Sequence, residues 1–180
     1  MSLANRISLL RILLVPCFVA SLVYYTPDRD GLRFVSLAIF FLGIATDAMD
    51  GFVARSQHQQ SQLGTLLDPL ADKMLILSAL ISLSTIRALP DWMRIPAWFN
   101  LIVISRDAVL VTGTLLIFVF TGQWSVNPSR LGKWTIAAQM AVIPTVLLGL
   151  PFKQGLLILT AVMTVLSGVS YLRVGTRLLG

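Results

Sequence analysis

Six long runs of apolar residues alternate with short polar segments along the chain. The segments between them contain proline, glycine and charged residues, and the apolar runs cover residues 7–25, 32–49, 66–86, 95–120, 134–150 and 155–172. A helix needs roughly 20 mostly apolar residues to cross the hydrocarbon core of a bilayer, and the runs are of about this length. The pattern therefore predicts an all-α fold, an integral membrane bundle of six transmembrane helices, with residues 1–180 as a single domain.

The composition agrees with a lipid environment. Hydrophobic residues make up 56% of the chain and charged residues 12%, and the mean hydropathy is +0.83, which lies outside the usual range of soluble proteins. The net charge of +6 does not indicate nucleic-acid binding, because the basic residues are spread over several loops and are not clustered with aromatic residues. The expected partners are the lipid bilayer and phosphate-bearing ligands.

The single cysteine, Cys17, excludes an intrachain disulfide, and we expect it to be a small buried apolar residue. A cleaved signal peptide is an alternative interpretation of the first run, but Arg11 interrupts that run. The chain contains no internal repeat, which disfavours a secondary transporter.

The basic residues differ in number between the two sets of alternating polar segments. One set holds eight of them, the other holds five, and the larger set is Arg6, Arg11, Arg55, Lys73, Arg130, Lys133, Arg173 and Arg177. Because loops rich in Lys and Arg stay in the cytoplasm, this excess predicts that both chain termini are cytoplasmic.

Four aspartates lie at or near the membrane ends of the second and third runs. Asp47 and Asp50 are three residues apart, and Asp68 and Asp72 are four apart, so on helices each pair shares a face. An aspartate at the centre of a membrane helix costs about 2.5–3.5 kcal/mol, and neighbouring carboxylates repel each other unless protons or cations neutralise them. Oxygen ligands suit Mg²⁺ or Mn²⁺. The alternative is that they are interfacial loop residues and helix caps.

Small residues and one arginine lie beside these carboxylates. Gly51, Gly64 and Ala54 leave room for a flat group or a phosphate to approach the backbone. Arg55 supplies a planar donor fork suited to phosphate oxygens, although it could also be a basic anchor at a helix end. The segment therefore predicts a site for a phosphate-bearing ligand.

Written as a pattern, residues 47–72 read D-x2-D-G-x2-A-R-x8-G-x3-D-x3-D. This pattern resembles the signature of the class I CDP-alcohol phosphatidyltransferase family at every fixed position. The resemblance extends more loosely to the chain length, the six predicted spans and residues 5–16, which are similar to the opening of phosphatidylglycerophosphate synthases. In that opening Asn5, Ser8 and Arg11 recur every three residues, either as substrate-facing groups or as an interfacial cap with a snorkelling arginine.

The resemblance implies transfer of a phosphatidyl group from CDP-diacylglycerol to a hydroxyl acceptor, with release of CMP, in phospholipid biosynthesis. It implies two divalent metal ions, Mg²⁺ or Mn²⁺, and Asp72 as the catalytic general base. The implied metal ligands are Asp47, Asp50, Asp68 and Asp72. The implied CDP-binding residues are Asp47, Asp50, Gly51, Ala54, Arg55, Gly64 and Asp68. A homodimer, and a place in the cell inner membrane with the active site facing the cytoplasm, are implied as well.

The acceptor site is less sharply defined by the sequence. Arg106 and Asp107 lie deep in the fourth run, so both are expected to face the interior of the bundle and to be paired. With Arg130 and Lys133 of the next cytoplasmic segment, Arg106 is a candidate for binding an acceptor phosphate. The alternative is a self-satisfied structural ion pair between Arg106 and Asp107.

Two acceptors are compatible with the resemblance. Phosphatidylglycerophosphate synthases are similar in the fourth run but have Arg-Glu followed by a further Arg, whereas this chain has Thr112, Gly113 and Thr114. The Ser-Arg-Asp run and the later sequence PSRLGKWTIAAQ resemble, more weakly, cardiolipin synthases of the same family. We therefore predict glycerol 3-phosphate first, phosphatidylglycerol second and another alcohol third.

Two other classes of protein could also contain these carboxylates. A divalent-cation transporter or channel would use them to line a permeation path, but a fixed cation such as Arg55 beside that path would repel the ion. A small helical membrane scaffold would show no dependence on a metal.

Overall fold

The computed structural model describes the backbone of residues 3–57, 62–121 and 130–179, and the side chains of residues 10–46, 73–115, 119 and 130–173. Over these residues the secondary structure consists of helices and no strands. The six α-helices are α1 (Leu3–Val23), α2 (Gly31–Gln57), α3 (Gln62–Thr85), α4 (Ala97–Thr121), α5 (Arg130–Leu147) and α6 (Lys153–Leu179). Each predicted apolar run corresponds to one of them, which confirms the all-α prediction.

Two of the described segments are long and apolar enough to cross a membrane. They are Asp91–Leu115, which includes most of α4, and Lys153–Arg173 in α6. The apolar parts described for the first three helices are shorter, namely Leu10–Val23, Gly31–Thr46 and Lys73–Thr85. Within the described residues, two of the six predicted spans thus meet the length and composition needed for a membrane helix.

Large apolar side chains are exposed along these two helices. Leu101, Val111 and Val119 of α4 are each more than 60% exposed, and α6 exposes Ile158 and Val162 by more than half. Surfaces of this kind are unfavourable in water and favourable in contact with lipid tails. The expectation for Cys17 was wrong, because its side chain is exposed on α1.

The first compact unit, Met1–Arg94, contains the first three α-helices. Helix α1 packs against both α2 and α3. The rings of Phe18 and Phe40 meet at a centroid distance of 6.3 Å, and the hydroxyls of Ser21 and Ser36 are hydrogen-bonded at 2.7 Å. Both contacts join α1 to α2, so this helix pair is held by apolar as well as polar contacts.

The second compact unit, Ile95–Gly180, contains α4, α5 and α6. Helix α6 packs against both α4 and α5. Gly113 of α4 lies against Tyr171 of α6, where an added Cβ would come within 2.9 Å of the tyrosine ring. A small residue therefore allows the two helices to approach closely, as is common where helices associate in lipid.

A glycine ends α5 in a defined way. Gly149 has a φ of 65°, its N–H donates to the carbonyl of Val146 at 3.1 Å, and the N–H of Leu150 donates to the carbonyl of Thr145 at 3.1 Å. These two bonds are those of a Schellman motif, which satisfies carbonyls at the end of a helix. The following residue, Pro151, cannot continue the helix, so the chain turns here into α6.

Candidate functional site

The aspartate segment falls on two adjoining helices of the first unit. Asp47 and Asp50 lie in α2, Asp68 and Asp72 lie in α3, and the two helices contact each other. The helical backbone needed for each pair to share a face is therefore present. The side chains of all four aspartates lie outside the described residues, so their roles stay predictions.

For the other residues of the segment, too, the structure describes the backbone at most. Gly51, Ala54 and Arg55 lie in α2, and Gly64 lies in α3, while their side chains and residues 58–61 lie outside the part of the chain that the structure describes. Their predicted contacts with CDP remain predictions. What the structure adds is that the aspartate-bearing turns belong to helices and are not irregular loops.

A close contact between α2 and α3 lies one turn from the aspartates. Gly43 of α2 is buried, and a Cβ at this position would collide with the side chain of Leu75 in α3. Gly43 precedes Asp47 by four residues, and Leu75 follows Asp72 by three. Because Gly43 has no side chain, the two helices can approach closely next to the turns that contain the carboxylates.

Arg11 of α1 is completely enclosed, with 1% of its surface exposed. A snorkelling arginine keeps its guanidinium in contact with water, so that alternative is wrong for this residue. Helix α1 packs against both aspartate-bearing helices. Arg11 is therefore a buried cation on the element that supports them.

The second unit contains a buried arginine with a defined set of contacts. Arg106 of α4 is 7% exposed. Its Nη1 donates to Oδ1 of Asp107 at 2.8 Å, and its Nη2 donates to the Oγ of Ser167 in α6 at 2.9 Å. Among the side chains that the structure describes, none accepts a hydrogen bond from Arg106 Nε. The expectation that Arg106 faces the interior and is paired is confirmed, and its partner Asp107 is the one that the alternative of a structural ion pair named.

The two remaining candidates for the acceptor site lie in the same unit. Arg130 is the first residue of α5, Lys133 lies in its first turn, and both side chains are exposed. Exposed cations at the start of a helix are available to a soluble anion, and the N–H groups of the first turn favour negative charge there. Their assignment to an acceptor phosphate stays a prediction.

Ser167 was missed by the reasoning from sequence. It is 2% exposed and lies 61 residues from Arg106 in the chain. A signal was present, because polar residues recur along α6 at positions that share one face of a helix: Thr160, Thr164, Ser167 and Tyr171. Polar side chains at such spacing inside an apolar run indicate a face that packs against other helices.

Comparison with known proteins identifies the family. The sequence pattern of the CDP-alcohol phosphatidyltransferase family matches residues 1–166. A probable phosphatidylglycerophosphate synthase of Mycobacterium tuberculosis is 30% identical, over 99% of this chain and 84% of its own length. A CDP-diacylglycerol--glycerol-3-phosphate 3-phosphatidyltransferase of Bacillus subtilis is 35% identical over 84% of this chain and 80% of its own. A putative cardiolipin synthase of Mycobacterium bovis is 32% identical over 83% of this chain and 66% of its own.

The match extends through the aspartate segment and through the first five helices. Similarity of this extent to a family of enzymes excludes the two other classes, a divalent-cation transporter and a membrane scaffold. The chain therefore belongs to the CDP-alcohol phosphatidyltransferase family.

Proposed function

We propose that this enzyme transfers the phosphatidyl group of CDP-diacylglycerol to glycerol 3-phosphate and releases CMP. The observation that carries the proposal is similarity over nearly the whole chain to a probable phosphatidylglycerophosphate synthase, together with the relative from Bacillus subtilis named for the same reaction. The complete aspartate pattern between Asp47 and Asp72 supports the use of a CDP-linked donor.

The contact between Gly43 and Leu75 predicts how the aspartates are aligned. Because α2 and α3 are joined by a short connection, they are expected to run antiparallel. Seven residues beyond Gly43 is Asp50, and seven residues before Leu75 is Asp68, so these two are expected at the same level. By the same count, Asp47 is level with residue 71, next to Asp72.

Such a set of carboxylates fits hard divalent cations. In this proposal Asp47, Asp50, Asp68 and Asp72 hold two ions, Mg²⁺ or Mn²⁺, which would supply positive charge to the diphosphate and to the leaving CMP. Gly51, Ala54 and Gly64 leave room for the nucleotide, and Arg55 donates to its phosphates.

Asp72 then acts as the general base. It accepts the proton of the acceptor hydroxyl as that oxygen attacks the phosphorus attached to the lipid. The new phosphorus–oxygen bond forms as the bond to the CMP oxygen breaks, so the products are the phosphatidyl acceptor and CMP. The acyl chains of the donor can stay in the bilayer throughout.

Arg106 is assigned to the acceptor phosphate, with Arg130 and Lys133 as further cations. Its charge is balanced in part by Asp107, and its buried Nε has no acceptor among the described side chains. A phosphate monoester is a suitable ligand for such a donor, because hydrogen bonds between ionised groups are short and strong.

Phosphatidylglycerol is the second candidate acceptor. The putative cardiolipin synthase of Mycobacterium bovis shares 32% identity with this chain, and the fourth helix has Thr112, Gly113 and Thr114 where a further arginine is expected of phosphatidylglycerophosphate synthases. Phosphatidylglycerol has no phosphate monoester, so its use would leave Arg106 with a different role.

The setting that we propose is the cell inner membrane, with six spans and the active site on the cytoplasmic side. The exposed apolar surfaces of α4 and α6 support the membrane setting, and the excess of basic residues in one set of loops supports the orientation. A homodimer is proposed from the family resemblance.

The test is release of CMP by the purified full chain in detergent with CDP-diacylglycerol and Mg²⁺ or Mn²⁺. Glycerol 3-phosphate, phosphatidylglycerol, inositol phosphate and serine are supplied one at a time. Release that requires glycerol 3-phosphate, with phosphatidylglycerophosphate as the lipid product, supports the proposal. Release with phosphatidylglycerol alone would replace it by cardiolipin synthesis.

Replacement of Arg106 by Ala is expected to raise the KM for glycerol 3-phosphate roughly 10- to 100-fold, because one or more charge-assisted hydrogen bonds to the acceptor are lost. The KM for CDP-diacylglycerol should change by less than about twofold, because the donor is assigned to the first unit. Steady-state kinetics with each substrate varied in turn measures both values.

Arg94→Ala is the matched control, since Arg94 forms an ion pair with Asp91 at 3.2 Å outside the proposed site. Its kinetics should match those of the wild type. Equal increases of both KM values in Arg106→Ala would instead indicate that Arg106 is only structural.

A further inference from the structure

Helix α6 has a continuous buried polar face within an otherwise apolar segment. Thr160 and Thr164 are fully buried and Ser167 is 2% exposed, whereas Leu159 and Leu166 are more than half exposed. Steps of four and three residues place the polar side chains on one side of the helix. Polar groups inside a membrane helix need protein partners, so this face must meet other helices.

The first part of this face is hydrogen-bonded to α5. Gln139 Nε2 donates to Thr164 Oγ1 at 3.3 Å, and Thr135 Oγ1 donates to the carbonyl of Met163 at 3.3 Å. The second part of the face is hydrogen-bonded to α4, where Ser167 accepts a hydrogen bond from Arg106. These contacts join α6 to both of its neighbours.

Tyr171 and Ser167 of α6 both form hydrogen bonds with α4, and these bonds differ in kind. The hydroxyl of Tyr171 shares a neutral hydroxyl–hydroxyl bond with Thr114 at 2.6 Å and lies 3.3 Å from the carbonyl oxygen of Leu110. Ser167 accepts from the charged guanidinium of Arg106 at 2.9 Å. The charge of Arg106 already has a partner in Asp107, so the serine is not required for charge balance. Its effect on Arg106 is to fix the orientation of the guanidinium.

The guanidinium is rigid and planar, so two anchors determine where its remaining donors point. Asp107 holds Nη1 from the same helix, and Ser167 holds Nη2 from a different one. The Nε of this 7% exposed residue has no acceptor among the described side chains. A buried donor without an acceptor is costly, and an anionic ligand would remove that cost.

We propose that Ser167 is a positioning residue for the acceptor. By holding Nη2 of Arg106 it keeps Nε directed at the phosphate of the incoming acceptor. This inference rests on the proposed function, in which Arg106 binds glycerol 3-phosphate. Ser167 itself touches neither substrate, and it lies one residue beyond the part of the chain that the family pattern matches.

The test compares four variants of the full chain in detergent by steady-state kinetics and thermal unfolding. Ser167→Ala removes the acceptor of the bond, and Ser167→Thr keeps a hydroxyl. Tyr171→Phe is the matched control, because it removes the hydroxyl bonds to Thr114 and Leu110 between the same two helices and leaves Arg106 unchanged. Ser167→Cys keeps the side-chain volume with a weak acceptor, and it is used if the alanine variant does not fold.

The expected result for Ser167→Ala is a roughly three- to tenfold rise in the KM for glycerol 3-phosphate, with unchanged kcat and unchanged KM for CDP-diacylglycerol. Ser167→Thr should restore the wild-type KM, and Tyr171→Phe should leave it unaltered. Ser167→Cys should resemble Ser167→Ala.

Two results would overturn the inference, and they are distinguishable. If Ser167→Ala and Tyr171→Phe lose thermal stability and kcat together, with no selective change in the KM for the acceptor, Ser167 is only a packing residue and the proposed function stands. If the wild-type enzyme itself releases no CMP with glycerol 3-phosphate, the proposed acceptor is wrong and the role of Ser167 is wrong with it.

Discussion

Replacement of Asp72 by Asn is expected to lower the rate of CMP release by roughly 10²- to 10⁴-fold, the usual effect of removing a general base. Asparagine has nearly the same shape as aspartate but accepts no proton from the attacking hydroxyl. The backbone at this position is helical within α3, and asparagine is compatible with a helix at a cost of a few tenths of a kcal/mol. The variant should therefore fold.

The measurement is CMP release under saturating substrates, together with CDP-dependent thermal stabilisation in detergent. The variant should keep most of the stabilisation by CDP while losing turnover. Asp28→Asn is a suitable control, because Asp28 lies in the short helix Pro27–Arg29 on the loop after α1, away from the motif. Wild-type turnover by Asp72→Asn would remove it as the base and leave it as a metal ligand at most.

Removal of the divalent metal ions is the second change for which we expect a large effect on the rate of CMP release. With EDTA in excess, CMP release should fall to background, because four neighbouring carboxylates without a cation would repel the diphosphate and one another. Addition of Mg²⁺ or Mn²⁺ beyond the chelator should restore it. EDTA that has been saturated with Mg²⁺ before use is the control for effects of the chelator itself.

The same titration tests the ligand assignment. Asp50→Asn should raise the concentration of Mg²⁺ that gives half-maximal activity, since the site loses one charged ligand. Activity that persists in enzyme shown by elemental analysis to be metal-free would contradict a metal-dependent reaction. The carboxyl groups would then have to be protonated in order to interact with the substrate.

The helices were predictable from the sequence because each lies on a long apolar run that is bounded by proline, glycine or charged residues. Their ends were less predictable. The second run was expected to end at residue 49, yet α2 continues to Gln57. Backbone hydrogen bonding in a helix does not depend on side-chain polarity, so the helix extends beyond the predicted apolar run and contains Asp50 and Arg55.

The candidate site was predictable in its residue types and only in part in its contacts. That Arg106 faces inward followed from the cost of a charge in lipid, and the structure confirms it. Its bond to Ser167 spans 61 residues, and no local rule of spacing determines which turn of one helix meets which turn of another. The close contact of Gly43 with Leu75 was missed for the same reason.

The position of α6 as the common neighbour of α4 and α5 also has a consequence for biosynthesis. Both earlier helices are synthesised before α6, so the Nη2 of Arg106 and the amide of Gln139 must wait for Ser167 and Thr164, although Arg106 already has Asp107 on its own helix. Until then these polar groups need other partners, because an unpaired polar group in lipid is costly. Substitutions on the polar face of α6 should thus reduce the yield of inserted enzyme, and quality-control proteases should recognise α4 and α5 as incomplete.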